Sequence, residues 1–486
     1  MVPLLALSGA LLACVGNLDD VAGGSPRCQS AAGDSSAGGC QGALKAAGRD
    51  SWVVAEIEAW NAELSDGDRD EKYCAMAESS LRFYRGSNHL FWYDHAGDAR
   101  LAQFGSERTR IWLQADLHAQ NYGSFDDDDG EVVYGLNDFD ESIIADYQWD
   151  VWRMATSLVI MAQASGDFSE SQQRDLIDAF SESYLDTMAS YRGNDGETER
   201  RFDRHNTYGL LDDFLDEVER TGSREEMLDD WTSSASGERV FELALDELGP
   251  ADAAVAAAIQ DQMPSYVSRT AGDLSVTPGY FEVKDIARRL HAGTGSLGTP
   301  RYYVLIEGAS GGDDDDRILD VKRQGPPTPF AFLSPAERAV TDAVTTNSAE
   351  RAVIAYRALV AGADDHLGWM TLSDGTYSVR ERSPFKGSFP IEALNTENRF
   401  ENLAEQWGAI LATAHARADK DARAEHIPYS LDREVDIMTD GSHSEFRALV
   451  RAVAFEYATQ VALDYQAFGD YLTASGLACP SSLLAI

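Results

Sequence analysis

Positive charge is what this chain has least of. Its 486 residues carry 40 Lys and Arg against 82 Asp and Glu, a formal net charge of -42. A field of that sign repels the nucleic-acid backbone and anionic lipid, so neither is expected as a partner. It does not exclude a nucleotide, because a local basic pocket and a divalent cation override the mean field. Such an acidic surface also suits a salt-tolerant protein. The bases are nearly all Arg and Lys is rare, so each Lys is worth locating. Cysteine is scarce too, confined to Cys14, Cys28, Cys40, Cys74 and Cys479. No Cys-x-x-Cys and no His-x-x-x-His occurs, which argues against a structural zinc. The apolar N-terminus, residues 1–16, is too short to cross a bilayer as a helix.

That N-terminus fits the h-region of a signal peptide. It ends Leu11-Leu12-Ala13-Cys14, which resembles a bacterial lipobox, where the Cys is lipidated. No Lys or Arg precedes it, and Leu12 is bulkier than usual there. The expected address is the cell envelope, with the membrane reached only through lipid on Cys14; the alternative is cytoplasmic. Residues 17–48, rich in Gly, Ser and Ala, read as a flexible tether. With Cys14 lipidated, four Cys allow two disulfides in three pairings, and Cys28 with Cys40, flanking a flexible loop, is the expected pair.

The remaining chain is long enough, and at 44% hydrophobic apolar enough, for a sizeable core. Three- and four-residue spacing of apolar residues predicts helices over 51–64, 68–84 and 146–164. Another is predicted over 169–191, opened by a Ser169/Gln172 capping box. Residues 208–247 read as shorter helices. The texture changes near Tyr280: short strands are expected at 286–292, 301–307, 318–322, 368–372 and 376–381, with helix over 334–361 and again from 398 to 477. The acidic run 311–316 reads as an exposed turn. The division expected is 49–275, a helical lobe; 276–390, a small β-rich lobe; and 391–486, a helical segment completing the first lobe.

Two constellations carry chemistry. In Asp116-Leu117-His118-Ala119-Gln120-Asn121 an Asp is followed five residues on by an Asn, and Asn137-Asp138-Phe139-Asp140 follows a short hairpin later. Phosphotransfer of the kinase type uses one Asp to orient or deprotonate the acceptor hydroxyl, and an Asn and a second Asp to hold the metal that neutralises the triphosphate. The alternating run Glu131-Val132-Val133-Tyr134 after an Asp126–130 turn predicts a hairpin bringing both acids to one edge. The second constellation is Gly293-Thr294-Gly295-Ser296-Leu297-Gly298. G-x-G-x-x-G opens a helix in dinucleotide folds but joins two antiparallel strands over the phosphates in kinases. The Pro, Tyr and β-branched residues after it make a strand, which favours the second setting. Lys322, on the next predicted strand, supplies the phosphate-pairing Lys, with Glu337 or Glu350 on the following helix as its partner. The order is inverted relative to ordinary kinases, because Asp116 and Asp138 precede Gly293 and Lys322. A circular permutation accounts for that. His415, on the helix that would then precede the catalytic loop, reads as a helix-face or core His rather than a catalytic one.

These residues carry a family resemblance. Phe83-Tyr84-Arg85-Gly86, Ala115-Asp116-Leu117-His118 with Asn121-Tyr122-Gly123, Asn137 to Glu141, Trp149-Asp150 with Arg153, and the Gly-rich block with Arg301-Tyr302 resemble the bacterial domain of unknown function 2252 family. That family is similar to aminoglycoside phosphotransferases around the catalytic loop. Ala115 stands where a Gly is usual, and Arg323 follows Lys322 where an acid is usual. The resemblance implies an α+β, protein-kinase-like two-lobed fold, circularly permuted and mostly helical with a small antiparallel sheet.

The activity expected is a phosphotransferase or nucleotidyl transferase using ATP with Mg²⁺ or Mn²⁺, the acceptor being open. Asp116 is the expected base. Asn121, Asp138 and Asp140 are the metal candidates. Gly293, Gly295, Ser296, Gly298 and Lys322 are expected at the nucleotide, with Arg85, His118 and Asp150 in support. A non-catalytic envelope lipoprotein, keeping the shape as a binding module, is the alternative.

Overall fold

In a computed structural model the described residues are 48–235, 238–270, 277–423 and 425–479. Cys14, Cys28, Cys40 and the tether lie outside them. The described residues from Asp50 onward make up one structural unit. It is α+β, mostly helical with small antiparallel sheets. Several helices begin where a side chain satisfies a free N–H: Ser169 with Gln172 forms a capping box for Glu170–Tyr191. Ser65 and Ser79 cap Asp66–Ala77 and Ser80–Gly86. The run 68–84, expected as one helix, is therefore two, because Ser79 takes an extended conformation and starts the second. Glu170–Tyr191 packs closely along Glu397–Arg417. Gly408 permits the approach, since a Cβ there would stand 2.2 Å from the Phe180 carbonyl oxygen. Together with Gln148–Ser165 and His443–Ser475 these helices build the main core, which includes Trp92, Trp152 and Trp407.

The largest sheet has six antiparallel strands in the order Gly368–Leu372, Gly375–Glu381, Arg317–Gln324, Arg301–Ile306, Val283–Arg289, Leu248–Pro250. Side chains alternate across it. Tyr302, Val304, Leu319, Val321, Tyr377 and Val379 face Ile259, Met263 and Tyr266 of the helix Ala253–Thr270. Tyr303, Leu305 and Ile318, on the other face, meet Met227 and Leu228 of Arg224–Trp231. That second face continues into polar side chains: Arg301, Asp320, Lys322 and Gln324. Each of these four lies an even number of residues from Tyr303 or Ile318 on its strand.

The sheet brings a correction to the expected boundary at 275/276. Leu248–Pro250 is a strand of this sheet, and helices Arg224–Trp231 and Ala253–Thr270 cover its two faces. The β-rich part therefore begins near residue 224, because burial rather than local pattern decides which core a helix joins. The strand boundaries at 283–289, 301–306, 317–324, 368–372 and 375–381 otherwise agree with expectation to within a few residues. Cys74 and Cys479 form a disulfide with Cα atoms 5.3 Å apart across 405 residues of sequence. It ties the helix Asp66–Ala77 to the chain just beyond His443–Ser475. Among the described residues no helix is long and apolar enough to cross a membrane.

Candidate functional site

The hairpin forms as the alternation predicts. Strands Tyr122–Asp126 and Val132–Leu136 pair with Tyr122 opposite Leu136. The Asn137 N–H donates to the Asn121 carbonyl at 2.9 Å. The register thus sets Asn121 beside Asn137, and Asp138 follows directly. The turn before it, Gln114-Ala115-Asp116, is held from behind. Asp150 is fully buried, and its carboxylate accepts the N–H groups of Gln114 (2.8 Å) and Ala115 (2.9 Å). His415 Nε2 stands 3.3 Å from the same carboxylate, and the Tyr184 hydroxyl lies 2.9 Å from His415 Nδ1. His415 is thus part of the support for the turn, buried as expected. Ala115 has φ +66°, a left-handed conformation that costs an L side chain about 1–2 kcal/mol. The hydrogen bonds to Asp150 hold it there.

Asp116 itself forms an ion pair with the buried Arg153. Arg153 in turn lies over the Tyr84 ring at 4.2 Å. Burial pushes the Asp116 carboxyl up to about 7, against the pull of Arg153 and with a further push from Glu141 and Asp138. The Asn121 amide donates to the Asp116 carbonyl at 3.1 Å, which turns its own oxygen away from that bond. His118 caps the following turn, its Nδ1 accepting from the Gln120 N–H at 3.2 Å. Burial drives the His118 ring well below its ordinary pKa, so it is a neutral positioning group. Arg85 donates to the Gln120 side chain at 2.5 Å.

The polar face of the sheet meets this hairpin. Lys322 Nζ pairs with Asp140 and stands 3.8 Å from the Asp138 carboxylate. Asp138 (φ +59°) is exposed. The Gln114 amide donates to its carbonyl at 2.6 Å, and Arg351 donates to the carbonyls of Asp140 and Ser142, each at 2.6 Å. Phe139 stacks on Tyr356. On the sheet, Arg301 grips Asp320 with two nitrogens, and Arg380 lies 3.8 Å from the same carboxylate. Between hairpin and sheet is a cavity of about 650 Å³ whose lining includes Asn121, Asp138, Lys322, Gly293, Ser296 and Arg85. In a chain of net charge -42, this cleft gathers Arg301, Arg380, Lys322 and Lys386 alongside acids such as Asp138, Asp140 and Asp320, so bases and acids are close to balanced there.

The Gly-rich segment is a hairpin connection between the paired strands Val283–Arg289 and Arg301–Ile306, as the residues after it predict. Gly293 and Gly298 have φ of +71° and +82°, positions that favour Gly. Gly295 is exposed, and a Cβ on it would meet only the Arg85 carbonyl oxygen, at 3.8 Å. Its own carbonyl accepts from Lys72 at 3.4 Å.

Three expectations need correction. Glu337 and Glu350 do not pair with Lys322: each carboxylate caps its own helix, on the N–H groups of Ser334 and Thr346. Lys322 instead takes Asp140. Asp140 is accordingly not an open metal ligand, since Lys322 holds one oxygen and Gln324 donates to the other at 2.6 Å. Asn121 and Asp138 remain. An amide and a carboxylate oxygen on a cleft suit Mg²⁺, which takes one or two protein oxygens and completes its shell with phosphate and water. Gly295 and Asp116 are not in the cavity wall itself but adjoin residues that are, Gly295 at the Arg85 carbonyl and Asp116 at the Asn121 amide. The cluster Asp364, His366 and Glu381 on the cleft's far side is close enough to share an ion. It is already closed by ion pairs among its members and with Arg317.

Residues that the motifs did not single out for the site are Arg153 as the partner of Asp116, the Arg301–Asp320 pair, Arg351 and Lys72. Arg301 and Asp320 were findable, since they alternate with Tyr303 and Lys322 along adjacent strands. The others depend on contacts distant in sequence.

The chain belongs to the family described as uncharacterized protein conserved in bacteria (DUF2252), whose model matches residues 69–471. That span contains the whole hairpin, the Gly-rich loop and Lys322. No curated protein matches the chain, and no solved structure matches it.

Proposed function

We propose that the cleft transfers a phosphoryl group from ATP to a hydroxyl acceptor, on a permuted kinase-like arrangement of two lobes. The observation that carries the reading is the meeting of Lys322 with Asp138 and Asp140. It joins a Gly-looped antiparallel sheet to a D-x-x-x-x-N hairpin that lies far earlier in the chain. The sheet's connectivity supports it: strand, Gly-rich loop, strand, Lys-bearing strand, then helices and two further strands, the order of parts in a kinase nucleotide lobe.

Lys322 and the 293–298 backbone would hold phosphate oxygens. Mg²⁺ or Mn²⁺ at Asn121 and Asp138 would neutralise charge on the triphosphate. Asp116, held by Arg153 beside the cavity wall, would serve as the base toward the acceptor. The acceptor oxygen bonds to the terminal phosphorus, the bond to the bridging oxygen breaks, ADP leaves with that electron pair, and Asp116 takes the hydroxyl proton. Attack at the α-phosphorus would release pyrophosphate instead, making the protein a nucleotidyl transferase.

The test is the product formed from ATP with Mg²⁺, followed by chromatography with water or an added polyol as acceptor. ADP formation that falls roughly a hundredfold in Asp138→Asn, with melting temperature little changed, supports the reading; each 1.4 kcal/mol of lost transition-state stabilisation is about tenfold. Pyrophosphate would move it to nucleotidyl transfer. Turnover unchanged in Asp138→Asn would remove the metal assignment.

A further inference from the structure

Lys322 is satisfied by two carboxylates, whereas Lys72 is not. Lys72 sits on the helix Asp66–Ala77, about 6% exposed, among the buried residues Tyr73, Cys74, Ala75 and Met76. Among the described residues no carboxylate lies within ion-pair distance of its Nζ. Its hydrogen bond is to the Gly295 carbonyl, at 3.4 Å. A buried ammonium without a counter-charge is costly, and native proteins rarely keep one unless an anion arrives. The helix that carries it also meets the loop through Glu71, whose carboxylate lies 2.7 Å from His291 Nδ1. A Cβ on Gly298 would press on Leu64 and Asp68 of the same region. The Gly295 carbonyl accepts from Lys72, a Cβ on Gly295 would stand 3.8 Å from the Arg85 carbonyl oxygen, and the Arg85 side chain lines the cavity with its buried Nε lacking a hydrogen-bond partner among the described residues. Two basic residues, Lys72 through its ammonium and Arg85 through its backbone, thus adjoin the Gly-rich loop, and the Asp116 charge acts on both side chains.

We propose that Lys72, with Arg85, forms an oxyanion site under the tip of the Gly-rich loop that takes the terminal phosphoryl group of the donor. The assignment rests on the phosphotransfer reading above and adds to it a residue from outside both motifs. Lys322 then serves the inner phosphates, and Lys72 the one next to the acceptor. Burial pushes the Lys72 ammonium down to about 8, with Glu141 and Asp116 pulling it up; a bound phosphate would supply the missing counter-charge. The ligand class is a tetrahedral oxyanion at the end of a polyphosphate.

The test compares the full chain with Lys72→Met and Lys72→Arg. It measures calorimetric affinity for tripolyphosphate, ATP and ADP with Mg²⁺, together with melting temperature without ligand. The expected result is that Lys72→Met melts no lower than wild type, because an unpaired buried charge has gone. It should bind tripolyphosphate and ATP at least tenfold more weakly while changing ADP less than threefold, and Lys72→Arg should keep part of the affinity. In the unmodified chain, tripolyphosphate should slow acetylation of Lys72 but not of Lys420, whose side chain is 35% exposed, a comparison that needs no variant to fold. Tripolyphosphate bound in a Lys72-dependent way without ATP binding would keep the oxyanion site and remove the nucleotide reading. Unchanged affinities in Lys72→Met, absent protection of Lys72, or a wild-type chain that binds neither tripolyphosphate nor ATP would each overturn the assignment.

Discussion

The two halves of the cleft are built differently. The hairpin half, from Gln114 to Ser142, is fixed from behind by buried groups: Asp150 on two backbone N–H groups, Arg153 on Asp116, Arg351 on two carbonyls. It even holds Ala115 and Asp138 at positive φ. The Gly-rich half has an exposed tip, a 3.4 Å bond from Lys72, and local bonds such as Thr299 N–H to the Ser296 carbonyl at 3.0 Å. One half is held by buried groups of the protein, and the other, on the function proposed above, would take its polar partners from a ligand. That division is what positioning chemistry asks for: rigid acids and a backbone loop that closes on phosphate.

The sharpest way to break the comparison is to remove the support of the rigid half. Asp150→Ala leaves two buried N–H groups unpaired and should cost about 3 kcal/mol or more. The urea midpoint should fall, and residual turnover should fall further than stability alone explains. A midpoint unchanged in Asp150→Ala would mean that the turn holds itself.

Next in size is a pair of substitutions within the loop. Gly298→Ala meets a positive φ and Leu64 at 2.8 Å, so about 1–2 kcal/mol of stability should be lost. Gly295→Ala has neither problem and should change stability by less than about 0.5 kcal/mol, a typical surface value. Equal losses in chemical denaturation would show that the tip is packed after all.

A third effect concerns pH. Asp146 ends the strand Ile143–Asp146, which pairs with Arg110–Leu113 just ahead of Asp116. Burial pushes its carboxyl up to about 6 from an ordinary 3.8, with hydrogen bonds from Thr109 and Gln148 opposing. A raised folded-state pKa stabilises below the unfolded value, and that contribution is lost as pH rises through about 6. Between pH 4 and 7 the melting temperature of Asp146→Asn should therefore fall less steeply than that of wild type. Parallel curves would place the proton elsewhere.

Much of the rigid half was legible in the sequence because its signals are local. Alternation around 131–136 gave the hairpin, and the D-x-x-x-x-N spacing gave Asp116 and Asn121. Pro and Tyr after Gly298 gave the strand setting of the loop. What was not legible depends on partners far along the chain. Glu337 and Glu350 sit on the expected helix but are consumed by its caps. The helix Ala253–Thr270, with Pro264 inside it, was not anticipated, although its Ala-rich first turns and the Asp252 cap are local helix signals. Lys72 resembles any helix-surface Lys until its burial is seen. The disulfide joins Cys74 to a residue 405 positions away, a pairing that spacing cannot select.

The most direct test of the central claim is a calorimetric titration of the full chain with ATP, with and without Mg²⁺, on wild type and Asp138→Asn. The expected result is metal-dependent binding in wild type that is lost or weakened at least tenfold in Asp138→Asn. Saturating ligand should stabilise the wild-type fold by about 2.7 kcal/mol at a hundredfold excess over Kd. No binding of ATP by wild type at millimolar concentration with either Mg²⁺ or Mn²⁺ would contradict it.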